Sequence, residues 1–311
     1  MGTPEFAVTI LNRLYSDNVE IRGVVTAPDK PSGRGQKMNQ SAIKKYSLEK
    51  NLNILQPTNL KDPEFIEALE LLNVDLFVVV AFRMLPEVVW AMPKKGTINL
   101  HASLLPNYRG AAPINWAIIN GEKESGVTTF FIEKEIDTGK IIQQEKVEIG
   151  ENETVGELYE RLMNLGAEVM LSTINDIADD DIRPIDQKSL MSPEIKPAPK
   201  IFKQDCEIDF SYNVKTVHDF CRGLSPYPAA WCTLYNNEKK ESKTFKLFIT
   251  EKTERPIDDR YKVSKDTNGL LIPCADFYLR VIEIQPQGKR RMSFRDFLAG
   301  NSIEHLTTKG I

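Results

Sequence analysis

Histidine is nearly missing from this chain: 311 residues hold three, at positions 101, 218 and 305. Groups so far apart offer none of the short His/Cys spacings of a zinc site, so no metal is expected. Cysteine is scarce too. Its four copies, Cys206, Cys221, Cys232 and Cys274, all lie in the last third and form no C-x-x-C pair. That excludes a zinc knuckle and gives no disulfide framework, leaving free thiols behaving as small hydrophobes in a reducing cytoplasm. Long hydrophobic runs are lacking as well. Nothing approaches the roughly 20 apolar residues that cross a bilayer, and no signal-peptide pattern opens the chain. A cytoplasmic protein without a membrane partner is the expectation.

Excess positive charge is also missing. The net charge is −4, which by itself argues against nucleic acid. The distribution is less even. Residues 1–182 hold 18 Lys/Arg against 27 Asp/Glu, a balance of −9, whereas residues 183–311 hold 22 against 17, a balance of +5. An acidic body joined to a mildly basic module that faces an anion fits this asymmetry.

What is present reads first as alternating strands and helices. "EIRGVVTA" (20–27) and "VDLFVVVA" (74–81) are short β-branched runs of the kind buried on both faces of a parallel sheet. "GTINLHA" (96–102) and "GVTTFFIE" (126–133) are further strands, the latter leading through "KEIDTGK" into "IIQQEKVEI". Asp62-Pro63 supplies an N-cap and a first-turn proline ahead of the periodic "EFIEALELLN". A long helix is expected from Glu153 to about Ala178. The alternation predicts a doubly wound, mostly parallel α/β sheet with ligands at the carboxyl ends of its strands. At the start, Thr3 is expected to cap a helix with Pro4 in its first turn, yet no strand precedes them. The first, central strand of the fold is therefore expected to be absent, with Met1 a start assigned too far downstream.

From Arg183 the texture changes. "RPIDQKSLMSPEIKPAPKI" is rich in proline and reads as an extended linker. Beyond it, short alternating runs broken by Asn, Gly and Pro predict a small antiparallel sheet or barrel, with a helix in "SYNVKTVHDFCRGL" near its start. The expected division is a catalytic domain over 1–182, a linker over 183–203 and a C-terminal domain over 204–311.

The chemistry concentrates in "NLHASLLPNYRGAAP" (99–113). Asn99 and His101 are two apart on a strand and so share a face. An amide donor beside an imidazole suits the oxyanion of an acyl-transfer intermediate, with the imidazole also able to move a proton. Asp137, in the Asp-Thr-Gly turn after another strand, is a candidate to orient the ring. Taken alone, a strand-end histidine is more often a satisfied structural residue and Asp-Thr-Gly merely a turn.

The segment "NLHASLLPNYRGAAPINWAIINGE" followed by "GVTTFFIEKEIDTGKII" resembles the active-site region of the folate-dependent formyltransferases. The Asn-x-His-x-Ser-Leu-Leu-Pro pattern stands at Asn99, His101 and Ser103–Pro106, and the Asp-x-Gly at Asp137–Gly139. "GTPEFAV", "TAPDKPSGRGQKM" (26–38) and "LSPYPAAW" (224–231) extend the likeness over nearly the whole chain. They point to the branch whose acceptor is methionine esterified to initiator tRNA. The resemblance implies a Rossmann-like catalytic domain and an oligonucleotide-binding-type (OB-like) C-terminal barrel. It implies transfer of the formyl group of 10-formyltetrahydrofolate to methionyl initiator tRNA, for initiation of translation, by a monomer that needs no metal. Catalysis is implied for Asn99, His101 and Asp137, folate binding for Ser103, Leu104, Leu105 and Pro106, and tRNA contact for Arg34 and Lys37. "GKRRMSFRDF" (288–297) adds a basic cluster that also reads as a solvated face.

Arg83, where many relatives have glycine after an aromatic residue, departs from the pattern beside the implied pterin pocket. Two alternatives stand beside the main reading: formyl transfer to a small amine or hydrolysis of the formyl donor, and a tRNA- or folate-binding protein without activity.

Overall fold

In the computed structural model, residues 1–32, 37–190 and 194–309 are described. The chain divides into two compact units. One comprises 1–110, 126–147 and 160–197, the other 111–125, 148–159 and 198–311.

In the first unit the hydrophobic runs become strands. Phe77–Val80, Thr97–His101, Glu124–Phe131 and Ile141–Glu148 form one sheet in that order, while Val24–Val25 pairs with Ile54–Leu55. Val24–Val25 and Ile54–Leu55 are parallel, as are Phe77–Val80 and Thr97–His101. Thr97–His101 against Glu124–Phe131 is antiparallel, a mixed edge common in such sheets.

Between the two parallel pairs lies the start of the chain. Gly2 N donates to Val25 O at 3.0 Å, Val80 N donates to Met1 O at 2.9 Å, and Gly2 bridges Val80 in parallel. These two residues take the sheet position where no strand was expected. The Met1 amine donates to Val78 O at 2.6 Å, and burial pulls its pKa down to about 5. Beside it lies a cavity of about 480 Å³ whose lining includes Ile10, Leu14, Leu69, Leu72 and Ile174.

The helix expected after Thr3 begins one residue later. It spans Glu5–Ser16 with Pro4 as N-cap and no side-chain cap, so Thr3 does not cap it. The physical reason is that the Pro4 carbonyl is the first acceptor, taking bonds from Ala7 N and Val8 N. Asp62 does cap Pro63–Leu71, through Glu64 N. The long helix covers Val155–Ala178.

Packing on this helix decides which way the sheet faces. Leu100 and Thr129 are register partners. Thr129 Oγ1 lies 2.8 Å from Thr173 Oγ1, and a Cβ at Gly166 would come within 2.7 Å of Leu100 Cδ2. Leu100 and Thr129 therefore point at the helix. Asn99, His101 and their partners Phe130 and Thr128 point the other way.

The second unit is an antiparallel sheet in the order Ser264–Lys265, Leu270–Pro273, Phe277–Pro286, Glu241–Pro256, Ala230–Asn236, Leu306–Thr307. It curls until its ends meet: Lys262 bridges Thr307, and Val263 N donates to Leu306 O at 2.9 Å. Its core includes Leu234, Leu247, Ile272, Leu279 and Ile284, with Val217 and Cys221 of the helix Val214–Gly223 laid on it. Within this unit Arg222, itself bound to Asp219 at 2.7 Å, donates to the carbonyls of Gly150 and Glu153.

Candidate active site

His101 ends its strand with a buried ring. Its Nε2 lies 2.8 Å from the Tyr108 carbonyl. A carbonyl only accepts, so Nε2 carries a proton in this arrangement. The other ring nitrogen, Nδ1, faces Asp137 Oδ2 at 3.8 Å, beyond hydrogen-bond length. That same oxygen accepts from Gly110 N at 2.9 Å. Asn99, on the same face two residues earlier, is half-buried, and its amide makes no hydrogen bond among the described residues. An amide donor thus lies on the face that carries an imidazole whose Nε2–H is held in place, which fits an oxygen gaining negative charge.

Asp137 sits in the left-handed region at φ 55°, which a short acidic side chain tolerates. Two residues on, Gly139 has no alternative. A Cβ there would stand 1.7 Å from the Phe131 carbonyl oxygen, so the Asp-x-Gly spacing is a packing requirement.

The loop after His101 is held from its backbone. Thr128 Oγ1 donates to Ser103 O at 2.6 Å, and Gln144 Nε2 donates to Leu105 O at 3.1 Å. Ser103 Oγ turns inward to Asn107 O at 2.8 Å, and Leu105 packs with Phe130 and Ile141. Ser103, Leu105 and Pro106 are therefore buried, while Leu104 is half-buried beside Gly126.

Lys37 lies in an antiparallel ladder opposite Ser32. Arg34 lies outside the described residues. Arg83 turns to the chain itself, donating to the carbonyls of Thr58 at 2.8 Å and of Pro57. In the basic cluster, Arg291 pairs with Glu283 and stacks over Phe248 at 4.4 Å, so part of its charge is already matched.

One residue of this region has no signal in the sequence. Gln187 falls in the proline-rich segment read as a linker, yet it is 1% exposed and begins a short turn, Gln187–Leu190. Its Nε2 donates to Asp137 O at 2.9 Å and to Gly139 O at 2.8 Å. Its Oε1 accepts from Arg109 Nε at 3.2 Å and Nη2 at 2.7 Å. The same segment is tied down at Ile185, which bridges Ile141, and at Lys196, whose carbonyl accepts from Tyr108 N.

Comparison with known proteins shows the family. Residues 1–174 match the family described as formyl transferase, and residues 200–302 match formyl transferase, C-terminal domain. A Methionyl-tRNA formyltransferase from Bacteroides thetaiotaomicron is 48% identical over 305 residues, covering 96% of this chain and 94% of the relative. Another of that name, from Flavobacterium psychrophilum, is 48% identical over 304 residues with the same coverage. Among solved structures, WlaRD, a sugar 3N-formyl transferase crystallised in the presence of dTDP and 5-N-formyl-THF, matches with a TM-score of 0.65. Its identity is 21%, over 93% of this chain and 97% of that one, a likeness of fold alone.

Proposed function

Because this chain belongs to the formyl transferase family, we infer that it moves the formyl group of 10-formyltetrahydrofolate to the amino group of methionyl initiator tRNA. The acceptor follows from 48% identity over almost the full length to enzymes named for it. Such a product serves the initiation of translation.

In this reading the methionyl amine attacks the formyl carbon and a C–N bond forms. The bond from that carbon to the donor nitrogen then breaks. The proton lost by the amine balances the one gained by the leaving nitrogen. Asn99 donates to the formyl oxygen as it becomes an oxyanion. His101 supplies the second donor as its Nε2–H turns from the Tyr108 carbonyl to that oxygen, and Asp137 faces the ring from the Nδ1 side. Ser103, Leu104, Leu105 and Pro106 shape the folate side of the site, the buried members through their backbone. Arg34 and Lys37 meet tRNA phosphate, and the curled sheet of the second unit takes the remaining backbone contacts. The supporting observation is the Asn99 amide, without a hydrogen bond among the described residues, on the same strand face as the His101 ring.

Formyl transfer with methionyl initiator tRNA, uncharged tRNA, glycinamide ribonucleotide and a nucleotide-linked amino sugar tests the assignment. Product with the methionyl tRNA alone is expected. Product with only a small amine would replace the acceptor and leave the family standing.

A further inference from the structure

We propose that Gln187 is a positioning residue for formyl transfer, setting the spacing of the two segments that hold the His101 ring. The proposal rests on the reading of Asn99, His101 and Asp137 as the transfer site.

Two chain segments touch that ring. One is Tyr108–Gly110, through the Tyr108 carbonyl on Nε2. The other is the Asp137 turn, through the carboxylate facing Nδ1. They meet directly where Gly110 N donates to Asp137 Oδ2. Gln187 joins them a second time. Its oxygen holds the Arg109 guanidinium, and its two N–H groups hold the carbonyls on either side of Thr138. All four hydrogen-bonding positions of one buried amide are filled, two by each segment.

A glutamine with such partners does more than fill space. Asp137 has left-handed backbone geometry, and its carbonyl is fixed from outside its own turn. Without Gln187, the carbonyls of Asp137 and Gly139 lose this donor and Arg109 loses this acceptor. The carboxylate is then free to shift relative to the ring. Gln187 touches neither the ring nor, in this reading, the substrate, so its effect passes through Asp137.

That route makes a kinetic double-mutant cycle decisive. Gln187→Leu, Asp137→Asn and the double variant are compared in steady-state formyl transfer, with folding followed by thermal denaturation. Gln187→Leu is expected to lower kcat about 10- to 100-fold, the range typical for partners that orient a catalytic group. KM for formyl donor and for tRNA should stay within about twofold, because binding groups are untouched. Added to Asp137→Asn, it should cost less than about threefold more. Gln187→Glu keeps the volume and the Arg109 bond but cannot donate to the two carbonyls. It is expected to fall with Gln187→Leu, and it carries the test if the leucine variant does not fold. Unchanged kcat in a folded Gln187 variant, or losses that multiply across the cycle, would overturn the proposal. Wild-type kcat in Asp137→Asn alone would instead sink the reading of the site and take this role down with it.

Discussion

Leu100 and Gly166 lie against each other, with the leucine Cδ2 in the space that a Cβ at position 166 would enter, 2.7 Å away. Because Leu100 sits between Asn99 and His101, this contact directs both of their side chains to the opposite face of the sheet.

Gly166→Val is therefore expected to push the helix off the strand. Overpacking of this kind costs about 1–3 kcal/mol. The midpoint of urea unfolding should fall, with kcat for formyl transfer falling alongside as the Asn99 face tilts. An unchanged midpoint would mean that the strand and helix separate at no cost.

Asn99→Ala removes an amide that supports nothing in the fold among the described residues. Stability should hardly change, whereas kcat should drop about 10²–10³-fold, the loss typical of one oxyanion donor. Full activity in this variant would remove Asn99 from the chemistry.

His101→Ala should abolish measurable turnover while leaving tRNA affinity within about twofold, since among the described residues the polar contacts of the ring are the Tyr108 carbonyl and the Asp137 carboxylate. Filter binding and formyl transfer on one preparation separate the two effects. Loss of tRNA binding would point to a collapsed loop rather than a missing donor.

Gly139→Ala meets a backbone oxygen, not a side chain that can swing away. A destabilisation of about 3 kcal/mol is expected from a clash that only main-chain movement relieves. Asp137 should lose its place at the same time. A variant with wild-type melting and kcat would show that the turn has slack.

His218 makes folding of the second unit sensitive to acid. Its ring is buried against Thr250 Oγ1 at 2.9 Å, and burial holds its pKa at about 4, aided by Arg222 and Lys252 and opposed by Asp219 and the Glu151 backbone. The unfolded chain takes up a proton near pH 6.5, the folded one only near 4. This contribution is thus complete above pH 6.5 and is lost as pH falls from there to 4, to the extent of roughly 3 kcal/mol. His218→Gln should lose less stability than the parent between pH 7 and 4.5 in urea titrations. Parallel losses would assign the acid sensitivity to other groups.

Local pattern was enough for much of this protein. The Asp62-Pro63 start, the Val155–Ala178 helix and the strand ending at His101 follow from caps and periodicities that act over a few residues. The pairing of Asn99 with His101 on one face follows from the two-residue repeat of a strand, and their link to Asp137 from the resemblance of two short motifs. Tertiary structure decided the rest. Met1–Gly2 takes a sheet position that two residues cannot announce as a strand. The turn at Gln187 clamps Asp137 from fifty residues away, out of a segment whose prolines speak only of extension. Arg222 reaches carbonyls some seventy residues distant, gathering 148–159 into the second unit. A hydrogen bond from one side chain to a far backbone carbonyl has no period and no composition, so it leaves no trace until the chain has folded.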